Sequence, residues 1–187
     1  MRYSADHKER SRERILDAAS RLLRTRGIEG VGLAAIMKQA GLTHGGFYAH
    51  FPSREVLVEE ALILALDHTI ERLRDLTEAA PPGKRLRTLI GVYLSLAHCR
   101  KPEDGCVFAA LGSDLARLPP VTRARLRGRY DRLAALIAEA ARDDGRPTTD
   151  GTPILATMIG TLTLARLAED DTAAEAILKD GITRSLA

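Results

Sequence analysis

The chain has no tryptophan, and aromatic residues make up only 4% of its 187 positions, so an aromatic cage is not expected. Its two cysteines, Cys99 and Cys106, are too few for a disulfide framework, and no Cys/His cluster has zinc-ligand spacing. Long apolar runs are also missing. The least charged stretch, Gly151 to Ala165, is shorter than a bilayer span requires and carries Thr152, Thr157, Thr161 and Thr163. The opening Met1-Arg-Tyr-Ser-Ala-Asp-His-Lys-Glu lacks the apolar core of a signal peptide. There is no alternating strand pattern, no fixed-period repeat and no low-complexity tract. A His-Glu-x-x-His zinc motif, a phosphate-binding glycine loop, a Gly-x-Ser-x-Gly elbow and the Glu-x-x-His pairs of a di-iron bundle are all absent. The expectation is a soluble, reduced, cytoplasmic protein that is not an enzyme and has no catalytic or metal-ligating residues, no cofactor and no membrane contact.

What is present is an ordinary globular balance, 45% hydrophobic and 28% charged. A chain of this length buries roughly 70% of its unfolded surface, so it needs no disulfide or metal staple. The net charge of +3 is unevenly spread. Residues 1–56 hold ten Lys/Arg against six acids, a local +4, and the remainder is slightly acidic. His7, His44 and His50 lie in the same basic third. Such concentration suggests a polyanionic partner, the alternative being a solvated basic face.

Helical signals dominate. Asp6 and Glu9 fit a capping box at the start of a first helix, in which Ile15, Leu16, Ala19, Leu22 and Leu23 recur at helical spacing until Gly27. A second helix is expected over 33–40, stopped by Gly41, and a third over 44–50, capped by Thr43 and ended by Pro52. Ser53 caps a long fourth helix running to Ala79. After Pro81-Pro82-Gly83, helices are expected at 84–99, 105–117, 120–142, 153–168 and 172–185. The fold class is all-α with about nine helices: a small basic head and a larger helical body.

The second and third helices, joined by Gly41-Leu42, outline a helix-turn-helix whose second member is free to enter a major groove. Gly45 and Gly46 each cost a helix about 1 kcal/mol relative to alanine. Either the backbone there approaches DNA closely, or the glycines relieve a tight packing contact. Phe47 and Phe51 are expected to pack the three-helix core.

These residues carry a resemblance. Ile15-Leu-Asp-Ala-Ala, Arg26-Gly-Ile-Glu-Gly-Val, the run from Ile36 to Phe51 (IMKQAGLTHGGFYAHF) and Ser53-Arg-Glu-Val-Leu resemble the TetR family of bacterial transcriptional regulators over about residues 8–58. The resemblance implies a DNA-binding domain at 1–56 and an effector-binding and dimerisation domain at 57–187. It implies phosphate contacts from Thr43, Tyr48, His50 and Arg54, and base-edge contacts from His44, Gly45 and Gly46. Lys38 is a further candidate for the DNA backbone. With two glycines in the reading element, operator choice should also lean on phosphate positioning and DNA shape.

The body has two features of note. The stretch Ile154 to Ala165 is apolar almost all round, so it must be buried on more than one side. The last helix offers small residues for close contact. The resemblance implies a four-helix dimer interface, with Ile154, Met158, Leu162, Ala174, Ile177, Leu178 and Gly181 as candidates and monomer core as the alternative. A two-fold dimer requires a palindromic double-stranded operator. Tyr93, Leu96, Cys106, Phe108, Leu111, Leu115, Tyr130, Leu133, Ile137 and Met158 are candidates to line a pocket for an unidentified small-molecule effector, each being otherwise core. Asp104-Gly-Cys-Val-Phe-Ala-Ala-Leu resembles a segment found in relatives of an electrophile-sensing repressor. Cys106, at an expected helix start, is therefore either a reactive sensor or a buried inert thiol. The expected activity is a homodimeric repressor, acting on the bacterial nucleoid, released from its operator by a small molecule or a thiol-reactive electrophile. The rivals are an architectural or cell-division DNA binder of the same fold without an inducer, and a helical interaction or enzyme domain with an incidental basic head.

Overall fold

The computed structural model describes residues 2–146 and 149–187, with side chains from His7 onward. Pro147 and Thr148, within the expected 143–151 separator, lie outside the described residues. Among the described residues there are nine α-helices, two short 3₁₀ turns and no strand. The α-helices are α1 (Arg2–Arg26), α2 (Leu33–Gln39), α3 (Arg54–Glu78), α4 (Arg85–Tyr93), α5 (Leu96–Arg100), α6 (Val107–Ala116), α7 (Pro120–Asp143), α8 (Thr152–Ala165) and α9 (Asp171–Ser185).

The count of nine hides two compensating differences. The helix expected over 44–50 is a 3₁₀ turn, His44–Ala49, because two adjacent glycines in so short a segment cannot sustain α-helical propagation. The helix expected over 84–99 breaks at Leu94 (φ −92°, ψ 46°), and Ser95 caps a separate α5 by accepting from the His98 amide at 3.2 Å. Two capping expectations also change. The first helix starts at Arg2, upstream of Asp6, so Asp6 is not its cap. Thr43 occupies the N-cap position of the 3₁₀ turn without a side-chain capping bond. Ser53 does cap α3, accepting from the Val56 amide at 3.4 Å.

The interior forms two apolar clusters, and α3 contributes to both. The first gathers Ile15 and Leu23 of α1, Ile36 and Met37 of α2, Phe47, Phe51, and Leu57, Leu62 and Leu66 of α3 against Leu111, Leu115 and Leu126 of the body. The second joins Ile70 and Leu73 of α3 to Tyr93, Leu133, Ile137, Leu155, Met158, Leu162 and Leu178. Residue 56, the expected domain boundary, lies in the first turn of α3, and the first cluster runs straight across it. Polar contacts reinforce the packing. Both Asp144 oxygens accept from the α4 start, the amides of Arg85 (3.0 Å) and Leu86 (2.9 Å).

His98 is fixed at the centre of the second cluster. Its Nδ1 donates to the Tyr93 carbonyl at 2.6 Å and its Nε2 accepts from the Cys106 amide at 2.9 Å, a pairing that needs the neutral ring. Burial first, and then the cations of Arg166, Arg72 and Arg24, push its pKa down to about 4. An unfolded histidine titrates near 6.5, so acid protonates the unfolded chain first. The stabilisation is therefore complete above about pH 6.5 and is lost as pH falls towards 4, by about 3 kcal/mol in total. In urea titrations, the advantage of the wild type over His98→Gln should shrink by that amount across the window. A pH-independent gap would remove His98 as the source.

Candidate nucleic-acid interface

The turn of the helix-turn-helix is built by backbone geometry. Gly41 adopts φ +68°, the Gly41 amide donates to the Lys38 carbonyl at 3.0 Å, and the Leu42 amide donates to the Met37 carbonyl at 2.8 Å. This is the αL termination that ends a helix abruptly and satisfies its last carbonyls. A β-carbon at Gly41 would also lie 2.7 Å from Arg14 Nη2, whose guanidinium donates to the Ala40 carbonyl. The chain then extends through Thr43 into the His44–Ala49 turn.

Aromatic packing fixes that turn to the head. Phe47 and Phe51 are buried and stacked, with centroids 5.8 Å apart, as expected for core residues. Tyr48 meets the Phe47 ring edge-on at 5.1 Å yet remains 70% exposed. Lys38, Thr43, His44 and Gly45 are exposed as well, and Gly46 is half-buried. The two glycines are not demanded by the fold. Neither has a positive φ. A β-carbon at Gly45 would meet nothing within 4 Å, and one at Gly46 would make only ordinary contacts with Thr43 Oγ1 (3.8 Å) and Met37 Cε (3.9 Å). Relief of a packing contact, the alternative weighed from sequence, is thereby removed.

Several basic residues of the head are committed internally. Arg12 pairs with Glu60 and lies over the Phe51 ring, while Arg21 pairs with Asp104 at 2.6 Å. Arg24 Nη1 donates to the Gly105 carbonyl at 2.6 Å. Arg54, expected at a phosphate, donates through Nη2 to the carbonyls of Ile28 and Val31, the latter at 3.1 Å, and so ties α3 to the loop before α2. The half-buried His50 has its pKa lowered by burial and then by Lys8, Arg12 and His7, which keeps the imidazole neutral near pH 7. Its Nδ1 is buried without a hydrogen-bond partner among the described residues.

The body departs from expectation at both candidate surfaces. Tyr93, Cys106, Leu133, Ile137 and Met158 are buried in the second cluster and Leu111 in the first, where they pack as core. Leu96 is half-buried against the second cluster. Phe108, Leu115 and Tyr130 do share a cleft of about 540 Å³ between α6 and α7, together with Gly112, Ala116, Arg123, Leu126, Arg127 and Ile159. Met158, Leu162, Ala174, Leu178 and Gly181 are buried within the protomer and cannot face a second chain in this conformation. Gly181 serves the α8–α9 contact, since a β-carbon there would lie 2.3 Å from Thr161 Cγ2. Ile154 and Ile177 are half-buried against the second cluster. The exposed face of α8 instead carries Ala156, Gly160, Thr163 and Leu164, continued by Leu167, with Leu164 59% and Leu167 77% exposed.

One connecting residue carried no signal in the sequence. Asp114, on α6, accepts from the Ile28 amide at 2.9 Å and so holds the turn after α1 to the body. Its partner lies 86 residues away, beyond the reach of periodicity or local capping patterns.

A helix-turn-helix with a solvent-facing, glycine-opened second element on an all-α body defines a DNA-binding regulator. The chain belongs to the tetR family of bacterial regulatory proteins: that family's profile matches residues 15–61, and the tetracyclin repressor-like C-terminal domain matches residues 82–180. Its members are transcriptional regulators rather than enzymes. The HTH-type transcriptional regulator LmrA of Bacillus subtilis is 28% identical over 137 residues, covering 72% of this chain and 73% of LmrA. A TetR-family regulator from Agrobacterium tumefaciens shares the fold with a TM-score of 0.79, 22% identity and coverage of 95% and 98%. AibR, solved in complex with isovaleryl coenzyme A and operator DNA, superposes with a TM-score of 0.65 at 20% identity, covering 93% and 97%. No helix among the described residues is long and apolar enough to cross a membrane.

Because open space surrounds Gly45, Gly45→Ala should leave the thermal midpoint unchanged or raise it, by up to about 1 kcal/mol of stability. A clear loss of stability in a calorimetric melt would restore a packing role for this glycine.

Proposed function

We propose that the protein is a homodimeric repressor whose residues 1–56 bind the half-sites of a palindromic operator, and whose residues 57–187 dimerise and bind a small-molecule inducer. The site of action is the bacterial cytoplasm, on the nucleoid. The observation that carries the DNA reading is the Gly45-Gly46 pair, exposed at Gly45 and half-buried at Gly46, which costs local stability and answers no internal need. Glycine there lets backbone amides approach phosphate or base edges closely. Thr43 and Tyr48 supply hydroxyl donors for phosphates on either side, His44 faces base edges, and Lys38 and His50 extend the phosphate track. Arg54 acts chiefly by holding the α3 start against the head, with its remaining donors open to a phosphate.

The charge-free exposed face of α8, at Ala156, Gly160, Thr163 and Leu164, supports dimerisation. A protomer leaving leucines that exposed beside small residues presents a surface suited to another helix. The inducer shifts the balance between a DNA-competent dimer and one with misplaced heads, and must bind the second state more tightly to do so. Direct attack by an electrophile is disfavoured, since Cys106, the last residue of the α5–α6 connection, is 0% exposed.

Selection from random DNA should return a palindrome, and Gly45→Ala should weaken binding to it by about tenfold without loss of fold. A consensus lacking two-fold symmetry, or unchanged affinity, would count against the assignment. The double variant Leu164→Glu/Leu167→Glu should sediment as a monomer and lose operator affinity. A stable dimer in that variant would exclude the α8 face.

A further inference from the structure

We infer that the cleft between α6 and α7 is the effector site and that it takes a small amphiphilic monocarboxylate, held at its head by Arg123 and along its tail by apolar side chains. This rests on the reading of the protein as an effector-controlled repressor and gives that effector a place and a chemical class.

Three observations converge. The volume, about 540 Å³, lies in the range of small-molecule sites. The walls are apolar, with Phe108 and Leu115 on α6, Leu126 and Tyr130 on α7, and Ile159 on α8. Phe108 and Tyr130 meet edge to face at 5.8 Å, which holds both rings in place. Apart from the two arginines, the Tyr130 hydroxyl is the one polar side-chain group of the lining, so a sugar or other richly hydroxylated ligand would lose more hydrogen bonds to water than it gained.

The charge in the cleft is of one sign. Its lining holds no acidic residue and two guanidiniums, Arg123 and Arg127, one helical turn apart on α7. Arg127 is already committed: it pairs with Asp131 at 2.7 Å and lies 5.1 Å from the Tyr130 centroid. Arg123 makes no ion pair or side-chain hydrogen bond among the described residues. A single uncommitted guanidinium above an apolar trough suits one carboxylate, which it can hold in bidentate fashion, and repels an organic cation. The contrast with the cleft between α1 and α2 is informative, because there Glu13 and Asp17 offset Arg14 and Arg21.

The same helix that walls the cleft also holds the head. Asp114 lies on α6 between Gly112 and Leu115 and accepts from the Ile28 amide, while Leu115 and Leu126 belong to the apolar cluster beneath α1 and α2. A tail wedged between α6 and α7 would move Asp114 and the turn it holds, giving ligand and DNA states of different affinity.

The test uses the full chain, octanoate as the probe and octyltrimethylammonium as its cationic counterpart, followed by isothermal titration calorimetry. Two variants alter the cleft by independent means. Arg123→Glu reverses its charge, and Gly112→Leu fills it, since a β-carbon at Gly112 meets nothing within 4 Å. Octanoate should bind the wild type, octyltrimethylammonium should not, and each variant should weaken octanoate binding by about tenfold or more while keeping its thermal midpoint. Octanoate should also release operator DNA from the wild type and not from Gly112→Leu. Absence of octanoate binding to the wild type, equal binding by both variants, or equal binding of the cation overturns the inference. Gel shifts of the ligand-free proteins test the operator reading separately, so failure of one is not mistaken for failure of the other.

Discussion

Ten side chains of α3, from Leu57 to Thr77, are buried along one continuous face, and α1, α4, α6 and α7 pack against this helix. Its first half closes the head, where Leu57, Leu62 and Leu66 meet α1, α2 and the aromatic turn. Its second half enters the body, where Ile70 and Leu73 meet α4, α7 and the residues around His98. Each fully buried leucine or isoleucine contributes about 1.5–3 kcal/mol relative to exposure, so this shared helix outweighs any single polar contact between head and body. A rigid element common to both cores is also what makes the body able to position the reading surface.

The polar contacts between head and body differ in weight. The Arg21–Asp104 pair is about half exposed on both sides, so screening leaves it a small contribution, about 0–1 kcal/mol. Asp114 is better protected and accepts from a backbone amide beside the buried Ile28, a charged hydrogen bond of the stronger kind. Because Asp114 rides on α6, the position of that helix and the position of the α1–α2 turn are mechanically linked. Arg24, reaching the carbonyl of Gly105, makes a second link close to the His98–Cys106 contact.

Much of the architecture is legible from residue order. The ends of α2 and α3 follow from Gly41 and Ser53, whose capping roles depend on neighbours within a few residues. The burial of Phe47 and Phe51 follows from their spacing in the reading turn. The exposed reading surface at Thr43, His44 and Gly45 is likewise a local matter, set by the turn that precedes it. The 3₁₀ character of that turn was available in the glycine pair, and the split between α4 and α5 was not, because Leu94 is no helix breaker and only the Ser95 cap marks the restart.

What the sequence determined by itself was the helical class, the helix-turn-helix and the family, because these rest on periodicity, capping and a contiguous motif. Tertiary structure alone decided which apolar residues share a cleft, which face of α8 remains outside, and which arginines stay uncommitted. Arg54 and Arg123 both lie near helix starts, yet one is turned onto the carbonyls of Ile28 and Val31 and the other has no side-chain partner among the described residues. Met158 and Leu164 lie on one uncharged helix, and only its packing against α7 and α9 puts the first in the core and leaves the second exposed. Such distinctions depend on contacts tens of residues apart, which no local pattern encodes.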